Sequence, residues 1–176
     1  SNFGGTSELS EPHEFGAGCS KILNPLGIQE PPPGTLLDVD AIARLKNFIR
    51  SFAGPSVFKS FAYLWAISEI SSALPSTCWV HVRRDTTQAA RSLEGLYRTR
   101  ADEAGFPLWT SAVMHKTRQE AFDLPLEGRC LRQIIDLDTH IRQQFARLPK
   151  DRQMSISLPD YVADPKAVTQ RILRHF

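Results

Sequence analysis

A chain of 176 residues, 41% hydrophobic and 23% charged, has the length and composition of a soluble globular protein, and we expect residues 1–176 to form a single domain. The formal net charge of +2 argues against nucleic acid or an anionic membrane surface as a partner, and no apolar run approaches the length of a membrane span. The three cysteines are widely spaced without a CxxC pair, which argues against a zinc site or a disulfide framework and predicts reduced, mostly buried thiols in the cytoplasm.

The chain begins with a short glycine- and hydroxyl-rich pattern. A phosphate-binding loop needs glycine, so that backbone amides can approach the anion, followed by a hydroxyl at a helix start. Gly5, Thr6 and Ser7 have that composition. A disordered Gly/Ser terminus is the alternative interpretation.

A polar segment, Glu11–Gly16, follows. On its own it predicts a turn around Pro12. It also contains His13 and Glu14, two side chains that could exchange protons, and imidazole is the one whose unperturbed pKa lies near neutrality.

A helix is expected after the stiff proline-rich linker Glu30–Gly34. Asp38 or Asp40 can cap it. Its apolar stripe has helical spacing and consists of Ile42, Leu45, Phe48 and Ile49.

The next segments alternate between strand and helix. Ser56–Ser60 reads as a short strand carrying Lys59, and Phe61–Leu74 as a helix that is apolar nearly all round. A buried strand is then expected from Cys78 to Val82. This order predicts parallel strands joined by right-handed crossovers.

The second of these strands leads into a capped helix. Asp85 with Gln88 three residues later is the Asp variant of a capping box, which predicts a helix starting at Thr86. Arg84 then lies at the carboxyl end of a strand and beside the positive end of a helix, where open α/β sheets bind phosphorylated ligands. Ser92 lies about two turns along the same face, so one guanidinium and one hydroxyl can converge on an anion. A capped helix with a surface arginine is the alternative.

The C-terminal half reads as helix, strand, helix. A long helix is expected from Leu131 through Phe145, and the cation-rich stretch Arg142–Arg152 reads as its solvated face and end. Arg152–Leu158 is the last strand. The Asp164-Pro165 step then predicts a terminal helix with proline in its first turn.

Two of these segments resemble motifs of PAPS-dependent sulfotransferases, in particular of prokaryotic-type members. Residues 84–92 are similar to their 3′-phosphate-binding segment RDPRDVAVS, with the Arg, the Asp and the Ser at matching positions. Leu158–Pro165 resembles their Tyr-Glu-Asp-Leu-Val-x-Asp-Pro segment, with Leu-Pro in place of Tyr-Glu. The order of elements from Phe58 to Phe176 also matches. The resemblance implies an α/β fold of the P-loop NTPase type, a parallel sheet flanked by many helices, with a helix-rich C-terminal half.

The N-terminal patterns resemble the same family. Gly5–Ser7 matches the Gly-Thr-Thr/Ser of its RSGTT or RSGTS loop, while Phe3 and Gly4 stand where a basic residue is expected. Pro12–Phe15 resembles a Pro-x-Glu-Phe pattern. The family has a helix of several turns between these motifs, and only Glu8–Ser10 lie between them here. Either a segment is missing from this sequence, which we expect, or the match at Gly4–Ser7 is accidental.

The resemblance implies that the protein moves a sulfuryl group from PAPS (3′-phosphoadenosine 5′-phosphosulfate) to an acceptor hydroxyl or amine, and that no metal is required. In that reading Arg84 and Ser92 hold the 3′-phosphate. Gly5, Thr6 and Ser7 cradle the 5′-phosphosulfate. The acceptor, a small molecule or a glycan, has no transferable sequence code.

The resemblance also implies two catalytic roles, with three candidate residues. Lys59 supports the leaving phosphate, or is a solvent-exposed lysine at a strand edge. Glu14, or failing it His13, is the base that takes the acceptor proton. The family places a tryptophan over the adenine, but Trp109 is expected in the core.

Two rival functions remain. The missing basic residue and the missing Tyr-Glu pair also fit a non-catalytic nucleotide-binding or interaction protein of the same fold. A small-metabolite kinase is disfavoured because no GxxxxGK[ST] motif is present.

Overall fold

The computed structural model of the chain describes residues 39–52, 54, 57–59, 61–101, 109 and 111–176. Within these residues the α-helices are α1 (Val39–Arg50), α2 (Ile67–Ala73), α3 (Thr86–Thr99), α4 (His115–Glu120), α5 (Leu126–Ala146), α6 (Leu158–Ala163) and α7 (Pro165–His175). The 3₁₀-helices are Phe61–Trp65 and Lys150–Arg152, and the strands are β1 (Trp79–Arg83) and β2 (Gln153–Ser157).

The two strands pair in parallel, with Trp79 opposite Gln153 at one end and Arg83 opposite Ser157 at the other. The chain passes from β1 to β2 through α3, α4 and α5, because parallel strands need a long crossover connection. The prediction of a mixed α/β fold with a parallel sheet and a helix-rich C-terminal half is confirmed.

The buried core consists of small clusters around α5. Leu137 of α5 belongs to the cluster that joins α1 and α2, and Cys130 belongs to the cluster that packs α3 against α5. Phe145, near the end of α5, packs with Ile67 of α2 under β1. Burial of each large apolar side chain stabilises the fold by roughly 1.5–3 kcal/mol. The long helix thus holds together the elements that carry the strand pair.

Two predictions on the first half of the chain are wrong. Val57–Lys59 are described without any strand, and the Val57 side chain is 97% exposed. No described strand pairs with this segment, so among the described residues it has no partner strand that would hold it extended. The expected single helix Phe61–Leu74 is a 3₁₀-helix followed by α2, with a break at Ala66. Aromatic residues in its first turns lose rotamer freedom in an α-helix, which weakens it there.

The burial of β1 and the first residue of α5 also differ from the predictions. Strand β1 is not buried on both faces: Val80 is 38% and Val82 51% exposed, because only the alternate residues Trp79 and His81 pack against the helices. Helix α5 begins at Leu126 rather than Leu131.

Candidate functional site

The turn between β1 and α3 has the geometry expected from its sequence. The Asp85 side chain accepts a hydrogen bond from the Gln88 backbone N–H at 2.8 Å, and α3 begins at Thr86. This cap satisfies one of the backbone donors that a helix start leaves unpaired. The helix is then held against α5 by Ala90, Leu93 and Tyr97, all buried. The capping prediction is therefore confirmed.

Arg84 and Ser92 lie on this turn and helix. Arg84 follows the last residue of β1, at the carboxyl end of the parallel pair, and its side chain is exposed. Ser92 is exposed on α3. In the part of the chain that the structure describes, neither side chain makes a hydrogen bond or an ion pair.

The Ser92 hydroxyl differs from the Thr99 and Thr139 hydroxyls, which also lie within helices. Thr99, on the same helix, donates its hydroxyl to the Gly95 carbonyl at 2.8 Å, and Thr139 on α5 donates to the Ile135 carbonyl at 2.8 Å. Such bonds to the preceding turn are the usual use of a hydroxyl inside a helix. The Ser92 hydroxyl is not used in this way and can donate to a ligand.

Lys59 is the only other predicted site residue within the described part of the chain. Gly5, Thr6, Ser7, His13 and Glu14 lie outside the described residues, and their roles stay predictions. Lys59 is described and exposed, and it lies in a segment without regular structure.

Arg152, expected at the solvated end of a helix, is half-buried and has a structural role instead. The Arg152 guanidinium donates from Nε to the Thr77 carbonyl at 3.1 Å, and from Nη2 to the Ser71 and Leu74 carbonyls at 3.0 and 3.2 Å. These carbonyls end α2 and lead into β1. Because the contact joins residues far apart in the chain, no local pattern could have revealed it.

The face of the strand pair that packs against α5 carries a basic cleft. Its cavity measures about 280 Å³, and its polar lining comprises His81, Arg83, Arg142, Lys150, Gln153 and Ser155. Burial lowers the pKa of His81; the nearby Arg83 and Arg142 lower this pKa further, and Asp138 opposes them. This cleft is not predicted by the sequence, although the alternation along β1 places Arg83 on the face of His81.

Trp109 is buried, as expected for a core residue, and packs with Val113 and Ala121. The Arg129 guanidinium lies 5.8 Å from its ring centroid, a cation–π contact. The prediction that Trp109 is a core residue is confirmed.

Within the described residues, no group of three or more His, Cys, Asp or Glu side chains is arranged to hold a metal ion. No helix in this part of the chain is both long enough and apolar enough to cross a membrane.

A parallel strand that ends in arginine and turns into a capped helix defines an α/β protein suited to phosphorylated ligands. Comparison with family models identifies that class: the model of the sulfotransferase family matches residues 29–176, and the chain belongs to this family. Neither the search of curated proteins nor that of solved structures gave a match. The matched range contains Lys59, Arg84 and Ser92, whereas Gly5–Ser7, His13 and Glu14 precede it. Family membership supports sulfuryl transfer as the general activity.

Proposed function

We propose that the protein transfers a sulfuryl group from PAPS to a hydroxyl or amine of a small-molecule or glycan acceptor, with residues 1–176 acting as one domain. The observation that carries this proposal is the position of Arg84, between the end of β1 and the capped start of α3, inside the region that matches the family. A cationic side chain and a helix start at the carboxyl end of a parallel strand favour an anionic ligand.

Arg84 and Ser92 would hold the 3′-phosphate of the donor. The fit rests on two features of the structure: within the described residues no carboxylate is paired with Arg84, and the Ser92 hydroxyl is not spent on its own helix. A guanidinium makes strong, charge-assisted hydrogen bonds to phosphate. The Gly5, Thr6 and Ser7 amides and hydroxyls would cradle the 5′-phosphosulfate.

The chemical step requires removal of a proton from the acceptor and charge stabilisation on the donor. PAPS, when bound, supplies the sulfuryl group. Glu14 would take the proton of the attacking hydroxyl, and His13 is the second candidate. Lys59 would offset the negative charge that develops on the oxygen leaving the sulfur atom. None of these roles calls for a metal ion.

A non-catalytic nucleotide-binding protein of the same fold is the second candidate. It is favoured by Phe3 and Gly4, which stand where the family's loop has a basic residue, and by Leu158-Pro159 in place of its Tyr-Glu pair. Such a protein would still bind the nucleotide through Arg84.

Calorimetric binding of adenosine 3′,5′-bisphosphate tests the donor site. We expect the Arg84→Ala variant to bind roughly 10- to 100-fold more weakly than the wild type, since a hydrogen bond to a charged group contributes about 1.5–3 kcal/mol. Arg171 is a matched control, because it is exposed on α7 and has no partner among the described residues. No binding by the wild type, or an equal loss in Arg171→Ala, would sink the proposal.

Sulfate transfer from PAPS across a panel of hydroxyl and amine acceptors tests the activity separately. Transfer by the wild type, lost in Arg84→Ala at low donor concentration, supports the enzyme. Nucleotide binding without transfer to any acceptor would support the non-catalytic candidate.

A further inference from the structure

We propose that the basic cleft binds the sulfate or phosphate ester group of a small ligand, at a site separate from Arg84 and Ser92. The cleft is the cavity of about 280 Å³ between the strand pair and the end of α5. Its chemistry, its shape and its position on the sheet each point to this ligand class.

The charge of the cleft is positive. Together with the cavity that adjoins it, its lining contains three cationic side chains, Arg83, Arg142 and Lys150, and one carboxylate, Asp138. Asp138 is held by Arg142 in an ion pair of 2.6 Å, so Arg83 and Lys150 remain for a ligand. Within the described residues neither of these two makes a hydrogen bond or an ion pair. A net positive cavity with protein walls concentrates anions.

The donors in the cleft are suited to a tetrahedral oxyanion. Ser155 of β2 lies opposite His81 of β1, and Arg83, two residues further along β1, is on the same face as His81. The Ser155 hydroxyl makes no hydrogen bond among the described residues. The floor is fixed by Gln153, whose Nε2 donates to the Phe145 and Leu148 carbonyls at 2.7 Å each. The side chains of Arg83, Lys150 and Ser155, above a floor fixed by Gln153, can therefore surround an oxyanion.

The adjoining cavity provides room for the body of the ligand. It measures about 460 Å³ and shares Arg142 and Ala146 with the basic cleft. Ile135 contributes an apolar wall, and Thr86 and Thr139 contribute hydroxyls. Volumes of this size are typical of small-molecule sites. An ester group in the basic cleft would therefore place its organic part in this second cavity.

The cleft and the Arg84–Ser92 segment are different sites. Neither Arg84 nor Ser92 lines either cavity. Successive side chains point to opposite faces at a strand, so Arg83 at the end of β1 and Arg84 after it diverge. Two anions could be bound at once.

The pKa of His81 should report whether an oxyanion occupies the basic cleft. An oxyanion in the cleft favours the imidazolium form and therefore raises the pKa of His81, which burial, Arg83 and Arg142 lower in the free protein. The NMR titration of its ring carbon is followed in sodium sulfate and in sodium chloride of equal ionic strength. We expect sulfate, but not chloride, to raise the pKa of His81. Equal responses to both salts would overturn the proposal.

Substitutions of Arg83 and Lys150 test whether these two side chains bind the anion. Arg83→Gln and Lys150→Gln should each weaken sulfate binding roughly threefold, the modest effect expected of a partly exposed charge pair. Arg44→Gln is the control, with the same change of charge at an exposed position of α1. An unchanged sulfate affinity in both cleft variants, or an equal loss in Arg44→Gln, contradicts the assignment.

Two further experiments test which ligand binds in the cleft and whether the cleft is a different site from Arg84 and Ser92. We expect phenyl sulfate to bind several-fold more tightly than inorganic sulfate; equal affinities would overturn the role of the second cavity and leave a site for a free anion. Arg84→Ala should leave the sulfate response of His81 unchanged, and its loss would show that the two sites are one. Neither experiment requires PAPS or measures sulfuryl transfer, so their outcomes are independent of the proposed activity.

Discussion

The Arg152 guanidinium donates a hydrogen bond to the Thr77 carbonyl at 3.1 Å, across 75 positions of the chain. The same side chain binds the Ser71 and Leu74 carbonyls at the end of α2. A cation at a helix carboxyl end is favoured by the helix dipole and satisfies carbonyls that have no partner inside the helix. Arg152 therefore fixes the entry of β1 against the entry of β2, and with it the strand that leads to Arg84.

Removal of this guanidinium should destabilise the protein. We expect Arg152→Met to lower the free energy of unfolding by about 2–3 kcal/mol, because it keeps the apolar stem and removes three charge-assisted hydrogen bonds to carbonyls. Urea denaturation measures this, with Arg147→Met as the control, since Arg147 is exposed and its guanidinium has no partner among the described residues. Equal losses in the two variants would contradict the structural role.

The cap of α3 gives a second stability prediction. Asp85→Ala should cost about 1 kcal/mol of unfolding free energy, the usual worth of an N-cap, whereas Asp85→Asn should cost much less because asparagine can accept the same bond from Gln88. Thermal denaturation of both variants provides the measurement. A loss in the asparagine variant as large as in the alanine variant would mean that charge, not capping, matters here.

Local features of the fold could be predicted from the sequence. Asp85 and Gln88 are three residues apart, and the Asp164 side chain accepts from the Ala167 backbone at 2.9 Å with Pro165 in the first turn of α7. Each of these bonds closes within one helical turn, so residue type and spacing are enough to specify it.

Features formed by distant residues could not be predicted. The basic cleft combines Arg83 of β1, Arg142 of α5 and Ser155 of β2, and the donors of Arg152 reach a loop before β1. Only the packing of α5 on the strand pair brings these residues together. Conversely, Val57–Lys59 have the composition of a strand without a described partner strand, and propensity alone does not make one.

The two described cysteines should differ in reactivity. Cys78 is exposed, whereas Cys130 is buried between α3 and α5, and burial raises the pKa of its thiol from 9.0 to about 11. A raised pKa keeps the thiol protonated, so at pH 8 its thiolate fraction falls by about 100-fold. Iodoacetamide labelling followed by mass spectrometry should modify Cys78 and spare Cys130 until urea is added. Labelling of both at one rate in the native protein would contradict this.

The base of the proposed transfer can be assigned by a pair of substitutions. If Glu14 takes the acceptor proton, Glu14→Gln should lower kcat by roughly 10²- to 10⁴-fold, and His13→Gln should have a much smaller effect. The affinity for adenosine 3′,5′-bisphosphate should be unchanged in both, since neither residue is assigned to the nucleotide. The reverse order of effects would assign the base to His13, and unchanged kcat in both variants would remove this segment from the mechanism.

The proposed donor site predicts a difference between two hydroxyls on α3. Ser92→Ala should weaken binding of adenosine 3′,5′-bisphosphate roughly 3- to 10-fold, the worth of one hydrogen bond. Thr99→Val should leave the affinity unchanged, because the Thr99 hydroxyl bonds to Gly95 of its own helix. Alanine is the better helix former, so a weaker affinity in Ser92→Ala cannot come from a less stable α3. Calorimetry decides: equal affinities of Ser92→Ala and the wild type would remove Ser92 from the phosphate site and leave Arg84 to hold it without this hydroxyl.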